Sequence, residues 1–340
     1  MKIIFVGSEA DCSLERWYAV HLKEAGVIVK LFPAQSMFYS YYRQSIINKL
    51  AFKAGISSIY KRIERQLRKE VEQFRPEVVW IFKGMEISPS FLVWLRSQGI
   101  RSVNFNPDHP FVFSGKGSGN KNVTRSIGLY DLHFTYDREI SARIEKDYGI
   151  PCRLLPFGYE LDDRLYEQCI IQEEVPDICF LGNPDRQRAD FVRQLAEKFP
   201  LQVYGHDWDR FIQHPNVTIF PPAYGDDFWK VLYRYRVQLN LMRVHNSHSH
   251  NMRSFEVPAA GGIGLFPDTS DHRIYFEDKK EVFLYRNAAE CAELAGYLLK
   301  MSKEDASRVR HAARLRSVSS GYSYRQRIIN ALPILFPSHD

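Results

Sequence analysis

The densest concentration of side chains able to do chemistry is one stretch, His245-Asn246-Ser247-His248-Ser249-His250-Asn251-Met252-Arg253-Ser254-Phe255-Glu256, followed by Val257-Pro258-Ala259-Ala260-Gly261-Gly262. Its residue types fit a phosphate joined to a pentose. A guanidinium such as Arg253 makes bidentate contacts to phosphate oxygens. A carboxylate such as Glu256 accepts hydrogen bonds from a ribose diol. The stretch reads as a loop feeding a helix, whose first turn offers unpaired N–H groups and partial positive charge to an anion. His248, His250 and Asn251 belong to the same loop, and Gly261-Gly262 permits close packing where the helix turns into the next strand. Other readings stand beside this one. His245, His248 and His250 are metal-ligand types, but no Cys or Asp accompanies them nearby. Arg253 and Glu256 could also simply pair with each other. Pro258 is tolerated only in a first helical turn, so the helix is expected to start near Phe255 or to kink.

The elements that must position this stretch alternate. Short apolar, β-branched runs occur at 2–6, 27–32, 78–82, 102–106, 132–136 and 153–156. After a polar stretch without a strong period, 162–174, they restart at 178–181, 201–204, 217–220, 237–241, 263–266 and 282–285. Helical stripes lie between them. Ile59, Ile63, Leu67, Val71 and Phe74 recur at spacings of four, four, four and three, which places them on one face. Ile140, Ile144 and Tyr148 repeat the pattern after a capping Asp137, and Gly149 with Pro151 ends it. A long helical region is expected from Ala288 to about Arg316, and a last helix over 324–335. Strand and helix in alternation predict an α/β fold of parallel, doubly wound sheets. Two such domains are expected, 1–165 and 166–320, with residues 321–340 as a helix that packs back on the first. Ligands bind beyond the carboxyl ends of strands in open α/β sheets. Two domains facing across a cleft would therefore present their chemistry in the loops that follow the strands.

Composition narrows the function classes. A chain of 340 residues, 45% hydrophobic, can build two cores. No run of about 18 apolar residues predicts a membrane-spanning helix, and Met1 to Gly7 reads as a first strand rather than a secretory leader. The five cysteines, Cys12, Cys152, Cys169, Cys179 and Cys291, are scattered and include no C-x-x-C pair. They read as small buried hydrophobes in a reducing cytoplasm, not as a disulfide framework or zinc ribbon. Residues 43–70 carry eight basic and two acidic residues, an excess equal to the net charge of +6 of the whole chain. A solvated face is the first reading of that run. Peripheral contact with an anionic membrane is the second. Nucleic acid is not expected, because no recognition motif accompanies the charge.

The block from His250 to Gly262 resembles the signature of the CgeB-like (spore maturation protein type) glycosyltransferases, relatives of the group-1 glycosyltransferases. Phe82-Lys83-Gly84, the run Val103 to Pro110, Leu155-Pro156-Phe157-Gly158, Cys179-Phe180-Leu181-Gly182 and Tyr204-Gly205-His206-Asp207-Trp208 resemble further segments of that family in the same order. The resemblance implies a GT-B fold of two Rossmann-like domains, a nucleoside diphosphate sugar as donor held by the second domain, an unknown acceptor, and no cofactor or obligatory metal. It aligns Glu256 with the ribose-binding glutamate and puts His248 where a second glutamate contacts the donor sugar. Counted from Gly182, the positions of two phosphate-binding cations fall on Asn183 and Arg188, with Arg186 or Arg253 left to replace the first. Phe220 to Tyr224 would lie where relatives hold the base. Asp108 and His109 would lie at the end of the fourth strand, near the transferred sugar, as a base or a positioning group. An Asp-His-Pro turn capped by Asp108 is the equal alternative. Glu9 and Lys83 are weaker acceptor-side candidates. A GT-B protein that binds nucleotide sugars without turnover is the alternative to a transferase.

Overall fold

The computed structural model describes residues 1–11, 13–113, 117–243 and 246–337. It divides into two units, one from Met1 to Pro156 together with the segment from Tyr324 onward, the other from Phe157 to Ser323. The boundary thus falls before the expected one at residue 165.

In the first unit β1 (Lys2–Val6), β2 (Ile28–Phe32), β3 (Val78–Phe82), β4 (Arg101–Phe105), β5 (Leu132–Thr135) and β6 (Cys152–Leu154) form one parallel sheet of order β2-β1-β3-β4-β5-β6. Every residue of β3 is buried, as a central strand covered on both faces requires. The helix Ile59–Phe74 covers one side with Ile59, Ile63, Leu67 and Val71, all at most 2% exposed. Each such burial contributes about 1.5–3 kcal/mol. The helix Tyr324–Leu335 returns to this unit. Its Tyr324 ring meets Tyr18 edge-on at 5.7 Å, and Arg101 donates to the carbonyls of Ile334 and Leu335 at 2.7 and 3.0 Å.

The second unit repeats the plan. β7 (Val175–Leu181), β8 (Leu201–Tyr204), β9 (Val217–Phe220), β10 (Tyr235–Leu239), β11 (Gly264–Pro267) and β12 (Phe283–Tyr285) pair in parallel in the order β12-β11-β10-β7-β8-β9. From β7 the chain runs outward through β8 and β9, then returns to β10 on the other flank of β7. The order reverses there, and the loops after β7 and β10 diverge to frame a crevice. The first sheet reverses in the same way between β1 and β3.

Three expectations need correction. The patternless stretch 162–174 contains a helix, Asp163–Ile170, capped by Asp162 and tied by Asp163 to Arg314 at 2.9 Å. Only Cys169 of that helix is buried, and its apolar side, Leu165, Tyr166 and Cys169, is too short to stand out as a period. The long closing helix is two, Ala288–Lys300 and Lys303–Ser319, the second started by Ser302, whose hydroxyl accepts from the Asp305 amide at 3.0 Å. The short helix Arg253–Ala259 begins two residues before Phe255 and carries Pro258 beyond its first turn, so the Ser254 carbonyl receives no amide from residue 258.

Candidate active site

Both candidate clusters sit at carboxyl ends of strands, one in each unit. In the second unit, Gly182 and Asn183 follow β7, and Arg188 lies in the first turn of the helix Arg186–Ala196. The Asp185 side chain caps that helix by accepting from the Arg188 amide at 3.0 Å. The Arg188 guanidinium then crosses the crevice. Nη1 donates to the Asn183 carbonyl at 3.1 Å and Nη2 to the Leu241 carbonyl at 2.8 Å, joining the loop after β7 to the loop after β10. Burial pulls the Arg188 pKa down to about 10, and the nearby cations Arg243 and Arg253 act in the same direction against Asp185. Three guanidinium groups therefore converge where the sheet order reverses. Arg186, by contrast, is exposed.

Arg253 and Glu256 pair with each other across one turn of their helix. Glu256 is buried, and burial raises its pKa while Arg253 opposes the rise. The Arg253 guanidinium lies 4.4 Å from the centroid of the Phe228 ring. The buried Nε of Arg253 makes no hydrogen bond among the described residues, and that of Arg188 lies 3.7 Å from Asp185 Oδ2, an ion pair beyond hydrogen-bond distance. Arg253 is about a quarter exposed and Arg243 is exposed, so cationic groups beside the largely buried Arg188 remain open to an anion.

Of the loop histidines, His250 lies in the core. His250 is wholly buried, donates from Nδ1 to Asp271 at 2.7 Å and accepts the Phe157 amide on Nε2 at 3.4 Å. Its ring packs edge-on against Phe157, Phe255 and Tyr275. It anchors the loop in the core and offers no surface to a ligand. Asn251 likewise caps the helix: its side chain accepts from the Ser254 amide at 3.1 Å, and Ser254 Oγ accepts from the Asn251 amide at 3.1 Å, a reciprocal arrangement that satisfies two end donors. Asn240 joins Asn251 side chain to side chain at 2.7 Å, and His272 meets Ser254 Oγ at 2.8 Å. Burial lowers the His272 pKa to about 4, so this buried network is held by a neutral ring. His248 is half-buried and its carbonyl accepts from Ser270. His245 lies outside the described residues, as does Cys12; the other four cysteines are free and buried. Among the described residues no group of three or more His, Cys, Asp or Glu is placed to hold a metal.

Beyond β8 the loops approach closely. Trp208 Nε1 donates to the Gly182 carbonyl at 2.8 Å, and a Cβ on Gly205 would stand 2.4 Å from that same oxygen, so only glycine fits. Asn183 Oδ1 accepts from the His206 amide at 3.0 Å, and His206 Nε2 meets the Tyr224 hydroxyl at 3.1 Å. Tyr224 is exposed, whereas the Phe220 ring is stacked on Tyr204 at 4.7 Å within the sheet.

In the first unit, Lys83 and Gly84 both take positive φ, 62° and 91°, directly after β3. A lysine there is strained. The kink brings Lys83 Nζ to 2.6 Å from Asp108 Oδ2, beyond β4. His109 caps its own turn: Nδ1 accepts from the Phe111 and Val112 amides at 3.2 and 3.0 Å, so the neutral ring carries its proton on Nε2. The capping expected of Asp108 is thus done by His109. Two buried carboxyls join Lys83. Glu15 accepts from the Ser8 amide at 2.8 Å, and burial raises its pKa. Glu86 is pushed by burial to about 7, partly offset by Lys83. A cavity of about 890 Å³ lies in the same unit, lined by Glu9, Ser36, Tyr41, Arg43, Arg62 and Gln66 among others.

Sequence reasoning missed Glu15, Glu86 and Arg243. Glu86 lies three residues after Lys83, and Arg243 just beyond the run 237–241, both within loops already singled out. Position after a strand was the available signal. Burial was not.

The glycosyl transferase-like family model matches residues 186–332, less than half of the chain. No curated protein matches by sequence. Among solved structures, sucrose-phosphate synthase from Thermosynechococcus elongatus is similar over 98% of each chain, at 10% identity and a TM-score of 0.67. A glycosyltransferase from Rickettsia africae ESF-5 is similar at 12% identity and a TM-score of 0.64, over 98% of this chain and 97% of its own. UDP-GlcNAc 2-epimerase from Neisseria meningitidis, bound to UDP-GlcNAc, is similar at 14% identity and a TM-score of 0.59, over 99% and 100%. With its two six-stranded parallel sheets flanked by helices, the chain has the GT-B fold.

Proposed function

We propose that this protein is a glycosyltransferase of CgeB-like type that takes a sugar from a nucleoside diphosphate sugar. One observation carries the reading most directly: the guanidinium groups of Arg188, Arg243 and Arg253 gather at the point where the second sheet reverses its order. A diphosphate supplies the negative charge that three gathered cations call for. As the bond from the anomeric carbon to the diphosphate oxygen breaks, charge grows on that oxygen, and fixed guanidinium groups stabilise it where it develops. The reading assigns Arg188, Arg243 and Arg253 that duty and needs no metal for it. Glu256 orients Arg253 and offers its carboxylate to the ribose. The acceptor hydroxyl attacks the anomeric carbon and gives up its proton to a carboxylate of the first unit, with Asp108 as the assigned base and Lys83 holding it in place.

Incubation with UDP-, GDP-, ADP-, CMP- and dTDP-linked sugars tests the proposal. Release of a nucleoside diphosphate with at least one donor supports it, and release from the CMP-linked sugar alone contradicts it. Asp108→Asn should then lower kcat about 100-fold or more with nucleotide affinity unchanged. No release, transfer or binding with any donor contradicts it.

A further inference from the structure

We infer that the helix Ile46–Lys53 docks the protein on an anionic lipid surface. This helix buries none of its residues. One side is held: Phe52 packs against Phe38, Tyr42 and Tyr60, and Asn48 donates to the Tyr41 carbonyl at 2.9 Å. With 100° between successive residues, Ile46, Ile47 and Leu50 fall on the opposite side from Phe52. They are 74%, 76% and 60% exposed, and Ile56 just beyond is 78% exposed.

Ile56 is not a loose end. The Gly55 amide bonds to the Phe52 carbonyl at 3.1 Å and the Ile56 amide to the Ala51 carbonyl at 3.1 Å, the Schellman closure of a helix. The residue after the glycine in that motif usually packs back on the helix. Here it is left exposed, a fourth large apolar residue in solvent close to Leu50 in sequence.

The charges around this side choose its occupant. Lys49 and Lys53 flank Ile46 and Leu50 on the same helix; Arg43, Lys61, Arg62, Arg65, Arg68 and Lys69 adjoin it in sequence, with Arg43 and Arg62 over the Tyr39 and Tyr41 rings and Arg68 over Phe91 and Trp94. Among the described residues none of these eight cations forms an ion pair. Both acids of the segment are committed elsewhere, Glu70 to Lys30 and Glu64 to the Ser88 amide. A second copy of this surface would meet its own positive charge. A short helix with large apolar residues outward and lysines beside them matches an interfacial anchor, lying in the headgroup plane and drawn there by anionic lipid. No helix of the described residues is long and apolar enough to cross a membrane, so the contact is peripheral. Arg43 and Gln44, which line the 890 Å³ cavity, immediately precede the cap Ser45 of this helix.

Flotation of the full chain with vesicles tests this independently of any transferase activity. Vesicles of equal parts phosphatidylcholine and phosphatidylglycerol should carry the protein upward at low salt, and phosphatidylcholine alone should not. Lys49→Gln with Lys53→Gln should weaken partitioning about 25-fold, from about fivefold per cation near an anionic surface. Ile47→Ser with Leu50→Ser should weaken it about tenfold or more while leaving the melting temperature unchanged, since neither side chain is buried. No flotation with phosphatidylglycerol overturns the proposal. So does flotation that both pairs of substitutions leave intact, or a lipid-free dimer abolished by the Ile47 and Leu50 changes.

Discussion

Arg188 Nη2 lies 2.8 Å from the Leu241 carbonyl, so one side chain of the loop after β7 holds the loop after β10. The two loops that frame the crevice in the second unit are thus fixed by a cation that also pairs with Asp185 at 3.7 Å and lies near Arg243 and Arg253. Such a strut does two jobs, one in folding and one in binding.

Replacing Arg188 separates them. Arg188→Ala removes both hydrogen bonds and leaves the Asn183 and Leu241 carbonyls unanswered, which should cost about 2 kcal/mol or more. Arg188→Lys retains a charge but cannot span two carbonyls in a fork, so it should recover little of that stability. Denaturant midpoints of the three proteins check this. Equal midpoints would remove Arg188 as a strut.

The Arg253–Glu256 pair makes a prediction about coupling. Arg253→Ala and Glu256→Ala should each lower nucleoside diphosphate affinity about tenfold or more, the loss of a charge-assisted contact. Because the two side chains touch, the double variant should lose clearly less than the product of the single losses. Titration calorimetry on the four proteins measures the cycle. Independent, multiplicative losses would mean that Glu256 does not act through Arg253.

Glu86 links the first unit to pH. Burial raises its pKa from 4.5 to about 7, so the folded state binds a proton that the unfolded chain releases earlier. The stabilising contribution of that proton is complete below pH 4.5 and is lost as pH rises through about 7. Glu86→Gln keeps the shape and removes the titration. The variant should be more stable than the parent at pH 8, by about 3 kcal/mol at most, and the advantage should vanish at pH 4. Melting curves across that range provide the measurement, and a pH-independent difference would contradict it.

Much of this architecture is legible in the residues, for identifiable reasons. Strands buried on both faces, such as β3, appear as unbroken apolar runs, and Ile59 to Val71 mark a helix because that helix buries one narrow side. Asp163–Ile170 escapes because it buries almost nothing. In the candidate site, residue types pointed to the loop from His248 to Glu256, but not to how its members divide the work. His250 and Asn251 look like ligand groups in sequence and are core and cap residues in the fold, since that depends on Asp271, Asn240 and Ser254 arriving from elsewhere. Glu86 looks like an ordinary surface acid. Its burial depends on packing that no local pattern encodes.

In the proposed reaction the second unit grips a nucleoside diphosphate through Arg188 and Arg253. A thermal-shift series with UDP, GDP, ADP, CMP and dTDP addresses this directly, because a ligand that binds only the folded state raises its melting temperature. At least one diphosphate should raise the melting temperature of the parent, and Arg253→Ala should abolish that rise. If no nucleotide moves the transition, or if Arg253→Ala responds as the parent does, the two guanidinium groups do not form the anion site claimed for them.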